Sequence, residues 1–410
     1  MSTSVRSLEA RFFLVYMALF APFAVLTPYL QQLLHIYGFR HDQIGYILGA
    51  VESTAVLAPP IWGLLSDRLG TPRGVLAMTI LLAVPTFLLL NPGLSTSAAV
   101  LVAFLFGFFC KPSIPLTDGM TFAYFQRLGG DYGHVRIGGT VSFILCCLVF
   151  ERYVRISDDP TGKRIIITFT VLLAVQALSL LLIPPAPKQT PARPEAPTAA
   201  DADAPASLHL FLKPGFIAFI IAGFLARFAM MSYYSFFSRY LNEVYGFKNV
   251  GYIWLLGSIC EFPLIFWSRS IMARIGVRNL FVLGLLGTVA RLLGFGYQGS
   301  LWTVIAMQPL HILTFGAFHC SSVTYVSRSF PTRLQGSAQG IYYAVTVGLG
   351  SFLGSAVGGV VLEHFGYVAM YLSFAAVAAV AVLITLLFVP KLEKPAPEII
   401  LSDNHHKVNS

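Results

Sequence analysis

Charge is scarce in this 410-residue sequence: Asp, Glu, Lys and Arg together make up 11% of it, against about 25% in a soluble globular domain. So few charges cannot clothe a water-facing surface of this size, which excludes an ordinary soluble enzyme. Cysteine is scarce too. The five thiols, Cys110, Cys146, Cys147, Cys260 and Cys320, all fall inside predicted helices. That reads as reduced core thiols rather than a disulfide framework. No phosphate-cradling glycine loop and no hydrolase or kinase motif occurs, so ATP is not a direct energy source and an enzyme is not expected. No cluster has metal-ligand spacing; the C-terminal "DNHHKVNS" reads as a disordered tail, and no cofactor is implied. The net charge of +9 has no aromatic–basic groove pattern behind it, which removes nucleic acid as a partner.

What fills the sequence instead is apolar: 56% hydrophobic and 14% aromatic residues, in long runs that recur along nearly the whole chain. Such runs read as membrane-spanning helices; a β-barrel would alternate over segments of about 10 residues. The expected fold class is therefore all-α, with twelve transmembrane helices. The first six spans are Phe12–Leu34, Ile44–Leu65, Val75–Leu90, Ala98–Leu116, Ile137–Phe150 and Ile165–Ile183. The second six are Phe216–Tyr240, Val250–Trp267, Leu280–Tyr297, Trp302–Val326, Ser337–Leu362 and Tyr367–Val389. The first run is too long for a signal-peptide core and no small-residue cleavage site follows it, so it reads as a span.

Four regions follow: an N-terminal six-helix bundle (1–183), a linker rich in Pro and Ala (184–213), a C-terminal six-helix bundle (214–390) and a disordered tail (391–410). Lys and Arg fall mainly in loops that place both termini in the cytoplasm; the loop carrying Arg152, Arg155, Lys163 and Arg164 is an exception. The bundles echo each other. "GYILGA" at Gly45 recurs as "GYIWLL" at Gly251, and "DRLG" ending at Gly70 recurs as "ARIG" ending at Gly276, both pairs 206 residues apart. Paired six-helix repeats suggest a transporter with its site between them, near the bilayer midplane.

"GLLSDRLGTPR", Gly63 to Arg73, resembles the loop signature of the major facilitator superfamily. The resemblance implies a conformational latch made by Gly63, Asp67, Arg68, Gly70 and Arg73. The second-half copy, "RSIMARIG", has Arg269 and Ala273 where Gly63 and Asp67 stand, so a symmetric latch is not expected. "PLTDGMTFAYF", "YGHVRIGGTVSFI", "GSICEFPLIF" and "PLHILTFGAFHCSSVTYVSRSFPTRLQGSAQGIYYA" are similar to the phenylpropionate permease group, relatives of lactose permease and of nucleoside–proton symporters. That likeness covers nearly all of the chain except linker and tail.

Charges inside the predicted spans single out the candidate site. Glu52, Lys111, Arg227, Glu261 and Arg291 fall near helix centres, where each is costly by about 2.5–3.5 kcal/mol on insertion scales. Lys111 and Asp118, seven apart, share a helix face. Arg136 and Asp118 flank one hairpin and could pair, while Gly138 and Gly139 would let the fifth helix approach a neighbour closely. His311 and His319 lie eight apart, near one face of the tenth helix, and histidine titrates in the useful range. The resemblance puts a carboxylate, an Arg and a His of the eighth, ninth and tenth helices in the proton and substrate site; Glu261, Arg291 and His319 match. Glu52, Lys111, Asp118, Arg136, Arg227 and His311 are the candidate substrate contacts. The aromatics Tyr233–Phe237 read either as an interfacial belt or as a substrate gate.

The expected function is proton symport: import of a small organic solute, with an aromatic monocarboxylate as the first candidate, by a monomer in a bacterial inner membrane. Protons, the solute and membrane lipid are the expected partners. The alternatives are a sugar– or nucleoside–proton symporter, an efflux pump driven by proton antiport, and a non-transporting membrane sensor.

Overall fold

The computed structural model describes residues 5–184 and 209–392. Most of the expected linker and tail lie outside these residues. Among the described residues every regular element is helical. Helices α1 (Val5–Ile36), α2 (His41–Leu69), α3 (Pro72–Leu88), α4 (Thr96–Leu128), α5 (Tyr132–Val154) and α6 (Lys163–Leu182) make up the first half. The second half begins with α7 (Pro214–Tyr245) and α8, which runs as Val250–Ile259 and resumes as Phe262–Ile275. It continues with α9 (Val277–Gly296) and α10 (Leu301–Ser329). The stretch Leu334–Phe388 breaks at Gly366, with φ +80°, into α11 and α12 (367–388). Nine helices among the described residues are long and apolar enough to cross a membrane; α3 and the first piece of α8 are shorter apolar helices.

The helices outrun most of the apolar runs that announce them. Phe12–Leu34 lies within a helical stretch reaching from Val5 to Ile36. Hydropathy marks only the stretch suited to hydrocarbon, whereas the backbone hydrogen-bond ladder continues through polar residues at its ends.

The two halves share one apolar core at one end only. A continuous cluster runs from Leu8 to Ile183 through the first half and takes in Tyr233, Phe237, Tyr240, Trp254, Phe295 and Tyr371 of the second. A separate cluster, including Phe219, Phe281, Phe318 and Tyr325, holds the opposite end of the second half by itself. Polar contacts between the halves follow the same division. Gln32 donates to Asn242 (2.9 Å), the His41 backbone N–H to Glu363 (3.0 Å) and the Gly251 N–H to Glu151 (2.7 Å), all at the end where α1, α5, α7 and α11 finish. At the other end stand Arg68, Arg127, Arg274 and Arg328, each in the last turn of its helix.

The repeated glycines explain how the closed end forms. A Cβ on Gly45 would clash with the Ser355 carbonyl and lie 3.1 Å from Gly359 Cα, so α2 and α11 cross backbone to backbone. Its counterpart Gly251, on α8, faces Tyr29 and Glu151 of the first half just as closely. Small residues at a crossing allow such an approach.

Candidate functional site

Glu52, Lys111 and Glu261 sit where their helices break, with proline beside each break, whereas Arg227 and Arg291 lie inside unbroken helices. α4 is interrupted at Lys111–Pro112, α8 at Cys260–Glu261 just before Pro263, and α2 over residues 54–57, just after Glu52 and before Pro59 and Pro60. Proline has no N–H to give to the preceding turn and its ring crowds that turn's carbonyl, but its fixed φ suits the start of the next helix. α10 changes form at the same depth, with widened turns over Ile312–Ala317.

Two lobes of one cleft lie between the halves, sharing Phe23, Thr27, Tyr234 and Phe315 on their walls. The larger, about 340 Å³, is lined among others by Glu52, Lys111 and Arg227. Lys111 Nζ lies 2.5 Å from Glu52 Oε1, and Arg227 Nη2 reaches Glu52 Oε2 at 3.7 Å from the other half. Arg227 also donates to Ser351 Oγ (2.7 Å) and sits 5.2 Å from the Tyr234 ring centre. One carboxylate thus ties two permanent cations across the cleft.

The smaller lobe, about 190 Å³, is walled by Phe20, Phe143, Trp254 and Phe315 and includes Arg136, Glu261 and His311. His311 Nε2 lies 2.8 Å from Glu261 Oε1. Its other ring nitrogen, Nδ1, is 2.9 Å from Arg291 Nη1. A guanidinium can only donate, so Nδ1 is an acceptor and the ring proton sits on Nε2, pointing at Glu261. Arg291 is anchored in turn by Gln308 Oε1 (2.8 Å) and Thr314 Oγ1 (3.3 Å), and lies 3.9 Å from the Tyr233 ring centre. The expected partnership of Glu261 with Arg291 is therefore bridged by His311. No hydrogen bond or ion pair joins His319 to Glu261 among the described residues. His319 lies two turns beyond His311 along α10, where the His311, Phe315 and His319 rings stack in a column at 5.8 and 6.1 Å.

Arg136 and Asp118 do not pair. Asp118 accepts from Tyr16 (2.5 Å) and Tyr132 (3.1 Å). Arg136 lies 4.2 Å from the Phe20 ring centre, with no carboxylate within 4.0 Å among the described residues. Gly138 and Gly139 do bring α5 close to α1: a Cβ on either would press on Phe13 or Phe20 at 2.7 or 2.6 Å. Lys111 and Asp118 flank the Pro112 break differently than their spacing suggests, Lys111 in the larger lobe and Asp118 under the two tyrosines. Of the residues expected to form a latch, Gly70 ends α2 with φ +61° and Arg73 donates to the Ile183 carbonyl at 3.1 Å, while Asp67 and Arg68 are exposed.

Several contributors escape sequence reasoning. Tyr233, Phe236 and Phe237 are buried and do not form an interfacial belt; Tyr233 instead backs Arg291. Gln308 and Thr314 carry no signal of their own, since polar residues on a helix declare themselves only through their neighbours. Glu151 reads as a loop charge in the sequence and is 3% exposed in the fold.

Comparison with known proteins identifies the family. The model of the MFS_1 like family matches residues 10–373. The chain belongs to that family, within the major facilitator superfamily. It is 27% identical over 389 residues to the maltose permease of Geobacillus stearothermophilus, spanning 94% of this chain and 95% of that one. It is 26% identical over 273 residues to a probable 3-phenylpropionic acid transporter of Escherichia coli strain K12, spanning 65% and 68%. The crystal structure of the nucleoside transporter NupG superposes with a TM-score of 0.77 at 19% identity, over 92% of this chain and 98% of that one. These family members are transporters, not enzymes, and the apolar helices agree with an integral, multi-pass membrane protein.

Proposed function

We propose that this chain is a proton-coupled symporter that imports a small organic anion, with an aromatic monocarboxylate as the favoured class. The observation that carries the reading is the content of the smaller lobe: a carboxylate–imidazole pair, Glu261 and His311, beside Arg136, a cation with no carboxylate partner among the described residues, all within aromatic walls. Lys111 is already matched by Glu52. A substrate carboxylate therefore gains most at Arg136, where a two-pronged, charge-assisted bond can form without displacing an existing partner. Its ring would lie against Phe20, Phe143 and Trp254.

The proposed coupling places the travelling proton on Glu261. While Arg291 holds His311 Nδ1, the imidazole stays neutral and cannot take the proton for itself, so the carboxylate must. A shift of α9 relative to α10 as the halves rock would free Nδ1 and give the proton a way off. His319, two turns nearer the basic end, is the next titratable group along the column.

The proposed architecture is twelve spans in two six-helix bundles (1–183 and 214–390). Both termini lie in the cytoplasm of a bacterial cell and the cleft opens toward the basic end, on the cytoplasmic side of the inner membrane. The protein acts as a monomer. Positive charge at that end supports this orientation, and alternating access would be the rocking of one bundle on the other.

The test compares an acid with its neutral amide. Arg136→Gln should weaken binding of an aromatic carboxylate by about 10-fold or more, the scale of one charged hydrogen bond, and leave its amide nearly unchanged. Equal losses for acid and amide would move the weight to a neutral sugar or nucleoside.

A further inference from the structure

The geometry points to Glu151 as the latch that holds the two halves together at the end opposite the cleft. This inference rests on the alternating-access reading above for its meaning, though not for its measurement.

Glu151 stands in the last turn of α5 and is 3% exposed. An isolated carboxylate at such a place would be heavily penalised. Among the described residues four donors and no cation satisfy it. Oε1 accepts from the Tyr29 hydroxyl (2.7 Å), the Gly251 backbone N–H (2.7 Å) and the Ser157 hydroxyl (3.0 Å); Oε2 accepts from Asn249 Nδ2 (3.1 Å). Tyr29 and Ser157 belong to the first half, Asn249 and Gly251 to the second.

The second-half donors give the contact its direction. Gly251 is in the first turn of α8, so its N–H is among those the helix leaves without an internal partner, and the helix dipole favours a negative charge there. Glu151 thus caps a helix of the other bundle. Gly251 is required for this: a Cβ there would lie 2.9 Å from Glu151 Oε1 and closer still to the Tyr29 hydroxyl. α8 is also the helix that carries Glu261 two to three turns below. Separating the halves at this end pulls Gly251 and Asn249 off the carboxylate and opens a buried charge to water.

The other polar contacts at this end are weaker candidates. His41 and Glu243 lie 3.5 Å apart with side chains 21% and 29% exposed, and Arg40 and Glu363 lie 3.8 Å apart with Arg40 62% exposed. Ion pairs in contact with water contribute little.

The test is a distance measurement by double electron–electron resonance on the full chain in nanodiscs, without substrate or pH gradient. Spin labels go on cysteines introduced at Lys163 and Lys248, both exposed at this end on opposite halves, in a background without the native cysteines. Glu151→Ala should convert a single short distance into a distribution with a second, longer component. Asn249→Asp sets two carboxylates face to face, leaves Tyr29 and Ser157 untouched, and should do the same. It decides the matter if Glu151→Ala does not fold. Combining Glu151→Gln with Asn249→Asp restores a donor–acceptor pair and should recover the short distance. An unchanged distribution in Asn249→Asp, or no recovery in the combined variant, would overturn the latch. Because no substrate is present, these outcomes stand whatever is carried and whether or not protons drive it.

Discussion

Glu52 and Glu261 each sit at a helix break deep between the halves, each in a cluster with two basic side chains, yet their direct partners differ in kind. Glu52 faces Lys111 at 2.5 Å and Arg227 at 3.7 Å, both permanently charged, one from each half. Glu261 faces His311 at 2.8 Å, and the permanent charge, Arg291, stands behind the imidazole. The first arrangement is a fixed bridge across the cleft. The second puts a group that can change its protonation between the carboxylate and the cation. A costly intramembrane charge therefore does not by itself announce a proton carrier; on the proposed reading, the identity of its direct neighbour separates the carrier from the brace.

The largest expected effect separates these roles by transport mode. Glu261→Gln should lower uptake against a gradient by about 100-fold, the lower range for loss of a proton-transferring group, while exchange of internal for external substrate continues. Glu52→Gln should lower both, because the brace serves every step. Uphill uptake by Glu261→Gln would remove the distinction.

Stability sharpens the comparison next. Glu52→Gln leaves Lys111 and Arg227 facing each other and should destabilise the protein by about 1–3 kcal/mol, a range reduced because the pair is partly accessible. Glu52→Gln combined with Lys111→Met should recover most of that loss in a thermal-unfolding double-mutant cycle. Glu261→Gln should stay within about 1 kcal/mol of the parent, since its amide oxygen still accepts from His311 Nε2–H. A larger loss there would make Glu261 a brace as well.

A subtler change acts through the imidazole. Arg291→Lys exchanges a fork that engages Gln308, His311 and Thr314 for a single point of charge. His311 Nδ1 is then freed, and protonation can move to the ring. The pH dependence of uptake should shift while substrate affinity at the plateau changes little. An unchanged profile with lowered affinity would mean that Arg291 binds substrate instead.

These contrasts were only partly open to sequence reasoning. The spans, the repeat and the charged residues follow from composition, and the breaks beside Lys111 and Glu261 follow from Pro112 and Pro263. The shared face of His311 and His319 was legible as a spacing of eight. Which of the two turns toward α8 was not, because that depends on how α8, α9 and α10 dock and on the widened turns after His311. Asp118 and Arg136 were legible as neighbours, but Tyr16, more than a hundred residues away, takes the carboxylate. Glu151 reads as part of a polar loop until α8 covers it. Sequence periodicity describes one helix at a time, and each of these outcomes is a contact between helices.

The smallest expected effect maps the cleft with native thiols. Cys110 borders the larger lobe, next to Lys111, and Cys260 is partly accessible next to Glu261. Saturating substrate should slow alkylation of Cys260 by a few-fold and of Cys110 less, if the ligand sits in the smaller lobe. Protection of Cys110 alone would move the substrate to the Glu52 bridge.

The most direct measurement is substrate-induced infrared difference spectroscopy on the membrane-embedded protein, which reads the C=O stretch of a protonated carboxyl group. The account predicts a band that changes when substrate binds, disappears in Glu261→Gln and survives in Glu52→Gln. A band that survives in Glu261→Gln and disappears in Glu52→Gln would contradict it, and would make the bridge the carrier and the imidazole pair the brace.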